Sequence, residues 1–399
     1  MARGVAGGAC AAGRGRACAT PRSRACAAPF LISLVFAVVF AAMASPAVAA
    51  PTQTLGPGTA LLRVNRPGPG GPIKAYVLRV DLADPAVRAG LLYPGAIAAV
   101  RTVSAMARDA GAFAGVNGDF FNIGASDAPV GPVVTGGRLI KAPQPGRALA
   151  AGVGSDGLGR ISTVRLRGFV ELPGGRDALS DLNDANPGFA PMLAPNGIGL
   201  FTSSWGTYTR AGAVRRLRSV TEVMVRGGRV ASVGHRPGAG PIAAGSYVLL
   251  GAGRGGRLLG GLRVGQAVSV DYGESTPARA PFRFAIGGKY RLLRAGVVQG
   301  GLPAAPGAPR TAVGFADGGR TMYLVVTEGP RGGVPGLDLP QLARFMRSLG
   351  VSDAVNLDDG GSTTIVARLP GHSGLTLLNR PDDGQERPVA NGIGLFVRP

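Results

Sequence analysis

Residues 353–369 read DAVNLDDGGSTTIVARL. DAVNL (353–357) is a short apolar strand, and STTIVARL (362–369) leaves as the next one. Between them stand two adjacent carboxylates, Asp358 and Asp359, then Gly360 and Gly361, then three hydroxyls. Folding gains little from this cluster. Aspartate and glycine are poor strand and helix formers, and neighbouring like charges repel. Loops at strand ends on a rigid sheet commonly carry catalytic groups. Gly360 and Gly361 allow positive φ and close approach of a ligand to the backbone. Successive amides in such a turn form an anion-binding concavity.

The flanking sequence extends the pattern. LDLPQLARFMRSLG (337–350) predicts a helix: Asp338 caps its free amides, Pro340 sits in the first turn, and Gly350 stops it. Leu342, Phe345, Met346 and Leu349 share one face. TAVGFADGGRTMYLVVTEG (311–329) predicts a hairpin turning at Asp317-Gly318-Gly319. NGIGLFV (391–397) is a closing strand. Upstream, 59–66 and 73–82 read as strands and 102–111 as a helix ending at Gly111. AFAGVNGDFF (112–121) reads as a buried strand running into a loop, and 131–142 as a hairpin turning at 135–137. From about 151 to 282, short apolar runs alternate with glycine pairs, which reads as a mostly β insertion. The expected fold is α+β or mixed α/β, a central β-sheet with few helices and a β-rich insertion at 151–282. Residues 51–399 form the expected domain.

The first 50 residues follow another logic. Five arginines and no acid precede the apolar run PFLISLVFAVVFAAMA, and small residues at Ala47 and Ala49 follow. That order is a secretory signal peptide. The run is short of the roughly 20 residues a spanning helix needs. Cys10, Cys18 and Cys26 all fall in this leader, so the mature chain has no cysteine and is held by its core alone. The expected location is secreted, extracellular or wall-associated, with membrane contact only transiently through the signal peptide.

The formal charge is +21; without the leader's five arginines it is +16. A basic exported protein suits an anionic partner such as a cell-wall glycan. Nucleic acid is not expected, because no basic helix, zinc pattern or clustered aromatic platform appears. Glycine and proline, 67 and 32 of 399 residues, border on low complexity, but the 45% apolar content argues for short strands joined by glycine-rich turns.

Five motifs in order resemble the phosphodiester glycosidase family. They are Asn117-Gly118-Asp119-Phe120-Phe121; Gly131-Pro132-Val133-Val134 with Gly137-Arg138; Pro309-Arg310-Thr311-Ala312-Val313-Gly314; Asn356 through Thr363; and Arg387-Pro388-Val389-Ala390-Asn391. Asp119 and Asp359 depart from it, standing where the family more often has glycine. The resemblance implies cleavage of a sugar-1-phosphodiester, here of the N-acetylglucosamine-1-phosphodiester type, to a free sugar and a phosphomonoester.

That chemistry needs an anion clamp, polar groups for sugar hydroxyls and a carboxylate at the anomeric carbon. Arg310 and Arg387 are the candidate phosphate forks. Gly360, Gly361 and Ser362 supply amide and hydroxyl donors. Asn117 and Asn356 either hold sugar hydroxyls or order the loops. Thr311 and Asn391 complete the candidate substrate-binding set. Asp358 is the first candidate for catalysis, because a phosphodiester departs with little need of protonation and one placed carboxylate suffices. Glu328, then Asp119, are the candidates for a second carboxylate. The loop's paired aspartates also suit calcium as an alternative, although the full EF-hand spacing is absent. With no mature cysteine and two isolated histidines, structural zinc is not expected. The competing function is a non-catalytic binder of anionic wall glycans.

Overall fold

The computed structural model describes residues 52–186 and 193–398. The expected signal peptide lies outside the described residues. Within the unit that begins at Ala49, the fold is β-rich with three α-helices among the described residues, and its strands are shared among four sheets. Two of these sheets position the loop at 358–364.

The first has eight antiparallel strands. Ile73–Asp81 pairs with Thr321–Thr327, which pairs with Arg310–Ala316, which pairs with Asp353–Asn356. The second has five antiparallel strands, with Ile365–Ala367, Ala114–Asn117 and Gly392–Val397 side by side. One apolar core joins them: Leu78, Val313, Leu324 and Val355 from the first, Val116 and Ile393 from the second. A third sheet of five strands adds Val153 and Phe284 to this core. Each such buried aliphatic or aromatic side chain contributes about 1.5–3 kcal/mol. The chain leaves the first sheet at Asn356 and enters the second at Ile365, so the loop crosses the seam between two packed sheets.

The opposite face of the first sheet is covered by helix α3, Leu339–Ser348. Its Leu342, Phe345 and Met346 pack on Val77, Val325 and Ala354. Asp338 caps it with a full capping box, accepting from the Gln341 amide at 2.6 Å while the Gln341 side chain accepts from the Asp338 amide. Covered on both sides, Arg310–Ala316 and Thr321–Thr327 are buried along their whole length. Helix α1, Val103–Ala110, starts at Thr102, whose hydroxyl accepts from the Ala105 amide, and ends at Gly111 with φ 73°. The hairpins at 133–141 and 310–327 form as the turn residues dictate.

Three readings change. The strand expected over 362–369 is shorter. Gly360–Ser362 is a 3₁₀ turn and the strand runs only Ile365–Ala367, because the loop must first cross to the second sheet. Residues 151–282 divide between two sheets: Leu149–Gly154 and Gly159–Thr163 join the third sheet with Phe282–Gly287, and 165–275 supply the seven-stranded fourth sheet. Inside that stretch GRGGRLLG (253–260) is helix α2, not strand and turn. Intrinsic propensity argues against a helix with four glycines. Packing overrides it: a Cβ on Gly255 would lie 2.3 Å from the Gly197 carbonyl oxygen, and one on Gly256 1.7 Å from that of Ser219.

Candidate active site

Asn117 closes the strand Ala114–Asn117 and stitches the seam. Its Nδ2 donates to the Asp358 carbonyl at 2.8 Å. Its Oδ1 accepts from the Thr311 hydroxyl at 2.6 Å and the Thr364 amide at 3.0 Å. Asn356 does the same on the other strand: Oδ1 accepts from the Tyr290 amide at 2.7 Å and Nδ2 donates to the Leu357 carbonyl. Both side chains are buried and bonded within the protein, and the Thr311 hydroxyl joins the Asn117 bonds. The polar end of an amide suits this task because it donates and accepts in one plane.

These bonds bring Asp358 beside Asp119. The Asp358 amide donates to the Gly118 carbonyl at 2.8 Å. Asp119 is 2% exposed, and its Oδ2 accepts from the Gly131 amide at 2.6 Å. Gly131 and Gly287 leave it room: a Cβ at Gly287 would stand 2.3 Å from that oxygen. Burial pushes the Asp119 carboxyl up to about 7, the charge of Asp358 pushing the same way, against the Gly131 amide and Lys141. Burial also pushes half-buried Asp358 up to about 7, opposed by hydrogen bonds from Ser362 and the Asp359 amide and by the charge of Arg387. Asn391 supports the pair from the closing strand, its Oδ1 accepting from the Asp119 amide at 2.8 Å. Its buried Nδ2 has no hydrogen-bond partner among the described residues.

Glu328 stands elsewhere. It lines a cavity of about 340 Å³ with Arg63, Lys74, Tyr76 and Arg380, and no residue of the 356–364 loop lines that cavity. Its carboxylate accepts from the Arg380 amide at 3.1 Å, and burial raises its pKa. The carboxylate beside Asp358 is therefore Asp119 and not Glu328.

Both arginines flank the loop. The Arg310 guanidinium donates from Nε to the Leu337 carbonyl at 2.8 Å and from Nη1 to the Asp359 carboxylate. Arg387 donates from Nε to Asp383 at 2.7 Å and from Nη1 to the Ser362 hydroxyl at 3.3 Å. Gly360 has φ 61°, and Gly361 lies so close under Arg387 that a Cβ there would be 2.1 Å from Nη2. Two contributors escaped the sequence reading. Lys289 stacks its ammonium 5.1 Å over the Phe120 ring and 5.2 Å over Tyr290, at the end of the strand carrying Asn356. Asp383 orients Arg387. The available signal for Lys289 was a cation directly after the Gly287-Gly288 pair; Asp383 had none.

The loop's carboxylates do not converge on a cation position, since Asp359 turns to Arg310. Among the described residues no three His, Cys, Asp or Glu side chains form a metal cluster. His235 and His372 are exposed, and Trp205 is a core residue against Phe201. No described helix is long and apolar enough to cross a membrane.

A protein from Synechocystis described as hypothetical is similar in structure, with TM-score 0.71 at 24% identity, over 88% of this chain and 64% of that one. This chain thus spans less than two thirds of that protein's length. A protein of Burkholderia pseudomallei K96243, whose name assigns it provisionally to export, gives TM-score 0.65 at 24% identity, over 82% of this chain and 74% of that one. These likenesses establish the fold. The catalytic domain of zebrafish N-acetylglucosamine-1-phosphodiester α-N-acetylglucosaminidase, auto-inhibited by its pro-peptide, aligns at TM-score 0.46 and 16% identity, over 88% and 89% of the two chains. No curated protein matches the sequence. The family described as phosphodiester glycosidase matches residues 219–396. That stretch holds Arg310, Glu328, Asp358 and Arg387 but starts after Asn117 and Asp119, and across it the chain is similar to the phosphodiester glycosidase family.

Proposed function

We propose that the protein is a hydrolase that releases a sugar from a glycosyl-1-phosphodiester, with Asp358 and Asp119 as its acid–base pair. The observation that carries this reading is their juxtaposition: two carboxyls from different sheets, both pushed up to about 7, one bonded to the backbone beside the other. Buried carboxyls poised near neutral pH are suited to proton transfer and to charge stabilisation in a dry site. The charge of Asp358 raises the Asp119 carboxyl further.

Asp358, the more accessible of the two, works ionised at the anomeric carbon, where it stabilises the developing oxocarbenium charge. The bond between that carbon and the bridging oxygen breaks, and the electron pair leaves with the phosphate. Water supplies the hydroxyl to the sugar, and its proton passes to the carboxylate pair. Asp119, deeper and facing the charge of Asp358, is the member that keeps its proton. The departing phosphomonoester is a weak base, so full protonation of the leaving oxygen is unnecessary. Arg310, Arg387 and the Gly361 amide, which donates to nothing among the described residues, receive the phosphate oxygens. The anionic substrate suits the basic chain, and a cell-wall or exopolysaccharide source suits the expected secretion.

The test uses the purified protein with α-N-acetylglucosamine-1-phosphomethyl ester in oxygen-18 water. Label in the free sugar supports the reading. Label in the phosphate makes the protein a phosphodiesterase and removes the role of Asp358. Binding of anionic glycans without turnover of any glycosyl phosphodiester makes it a binder.

A further inference from the structure

Each arginine that flanks the loop is already covered by an aspartate of this chain, and the two covers differ. Asp383 is four residues from Arg387 and pairs with it at the surface, the side chains 40% and 30% exposed. Asp359 lies 49 residues from Arg310 and covers a guanidinium that is only 8% exposed. The rest of the Arg310 side chain is fixed. Nε is bonded to the Leu337 carbonyl, and Nη2 faces the Pro306 carbonyl at 3.5 Å. Nη1 is the remaining corner, and the Asp359 carboxylate, 26% exposed, sits on it. The unused Gly361 amide follows two residues later, at the turn with positive φ at Gly360. A carboxylate oxygen on a guanidinium is the geometric stand-in for a phosphate oxygen.

We propose that Asp359 is an internal competitor for the substrate's phosphate and so a specificity-determining residue. Its carboxylate occupies the anion position on Arg310 in the resting protein, and a phosphodiester must displace it to bind. The inference rests on the reading of this loop as a phosphodiester site. A buried guanidinium needs a counter-charge, so removing Asp359 leaves Arg310 seeking an anion. With Asp359 present, a monoanionic ligand gains only the difference between its own contacts and those it replaces, which selects against simple anions.

The experiment is titration of inorganic phosphate by calorimetry into the wild-type protein, Asp359→Asn, Asp359→Gly and the double variant Arg310→Gln/Asp359→Asn. Both single variants are expected to bind phosphate about tenfold more tightly than wild type, a change of about 1.4 kcal/mol. The double variant loses that gain. For a glycosyl phosphodiester, the single variants lower KM by a larger factor than they change kcat. If Asp359→Gly fails to fold, the isosteric Asp359→Asn carries the test. Folded Asp359→Asn with wild-type phosphate affinity overturns the proposal, as does a gain that survives Arg310→Gln. The titration needs no turnover. A gain in phosphate affinity without hydrolysis of any glycosyl phosphodiester retains the competitor and removes the hydrolase reading. Hydrolysis without the gain does the reverse.

Discussion

Asp119 with Asp358, and Asp181 with Asp184, are two pairs of buried carboxyls with opposite surroundings. Burial raises the pKa of all four. In the second pair a cation touches one member, Asp184. Lys141, fully buried, donates to Asp184 Oδ2 at 2.9 Å and to the Ala142 carbonyl at 2.7 Å. Gln144 adds a bond to the other Asp184 oxygen at 3.3 Å. The first pair touches no cation. Its bonds come from the amides of Gly131 and Asp359 and from Ser362, while Lys141 and Arg387 act from further away. Burial alone therefore does not mark a reactive carboxyl. A contact cation favours the ionised carboxylate; amide and hydroxyl dipoles alone leave it freer to gain and lose a proton.

The largest expected effect comes from Asp358→Asn. It should lower kcat/KM for a glycosyl phosphodiester by about a thousandfold, within the range of about 10²–10⁴ for such groups, and leave the thermal midpoint no lower than wild type. A loss under about tenfold would erase the distinction between the pairs.

Lys141→Met tests the other side. It strips the second pair of its cation and should cost about 3–5 kcal/mol in urea unfolding at pH 7. The cost should shrink at pH 5, where the raised carboxyls take up protons. Because Lys141 also lowers the pKa of Asp119, the activity profile of this variant should shift to higher pH.

The pH dependence of stability separates the first pair directly. Burial holds the folded Asp119 and Asp358 carboxyls up to about 7, against an ordinary value of 3.8. A raised folded pKa means the contribution is fully present below the unfolded value and is lost as pH rises through 7. Between those limits each group contributes a slope of about 1.4 kcal/mol per pH unit. Asp119→Asn should flatten the curve of unfolding free energy against pH over that window. An unchanged curve would mean that Asp119 is not titrating there.

The smallest effect belongs to Glu328→Gln. Set in its own cavity, Glu328 should change kcat/KM by less than about threefold, far under the 10²–10⁴ of a group acting on the reacting atoms. A loss comparable to that of Asp358→Asn would make Glu328 the working partner.

The sequence by itself determined whatever neighbouring residues encode. Asp338 announced a helix start, Gly111 a helix end, and Asp317-Gly318-Gly319 a hairpin. DDGGST announced a loop that neither helix nor strand would choose. These signals are legible because a cap or a turn is a bargain between residues a few positions apart. Tertiary structure alone decided the rest. GRGGRLLG became a helix because its glycines let backbones meet. Asp119 rather than Glu328 came beside Asp358 because Asn117 reaches Thr311 across 194 residues and Asp119 reaches Asn391 across 272. Arg310 met Asp359 because the loop leaves one sheet at Asn356 and enters another at Ile365. Which carboxylate faces which charge depends on strand register and on the packing of two sheets, and no local run of sequence carries that information.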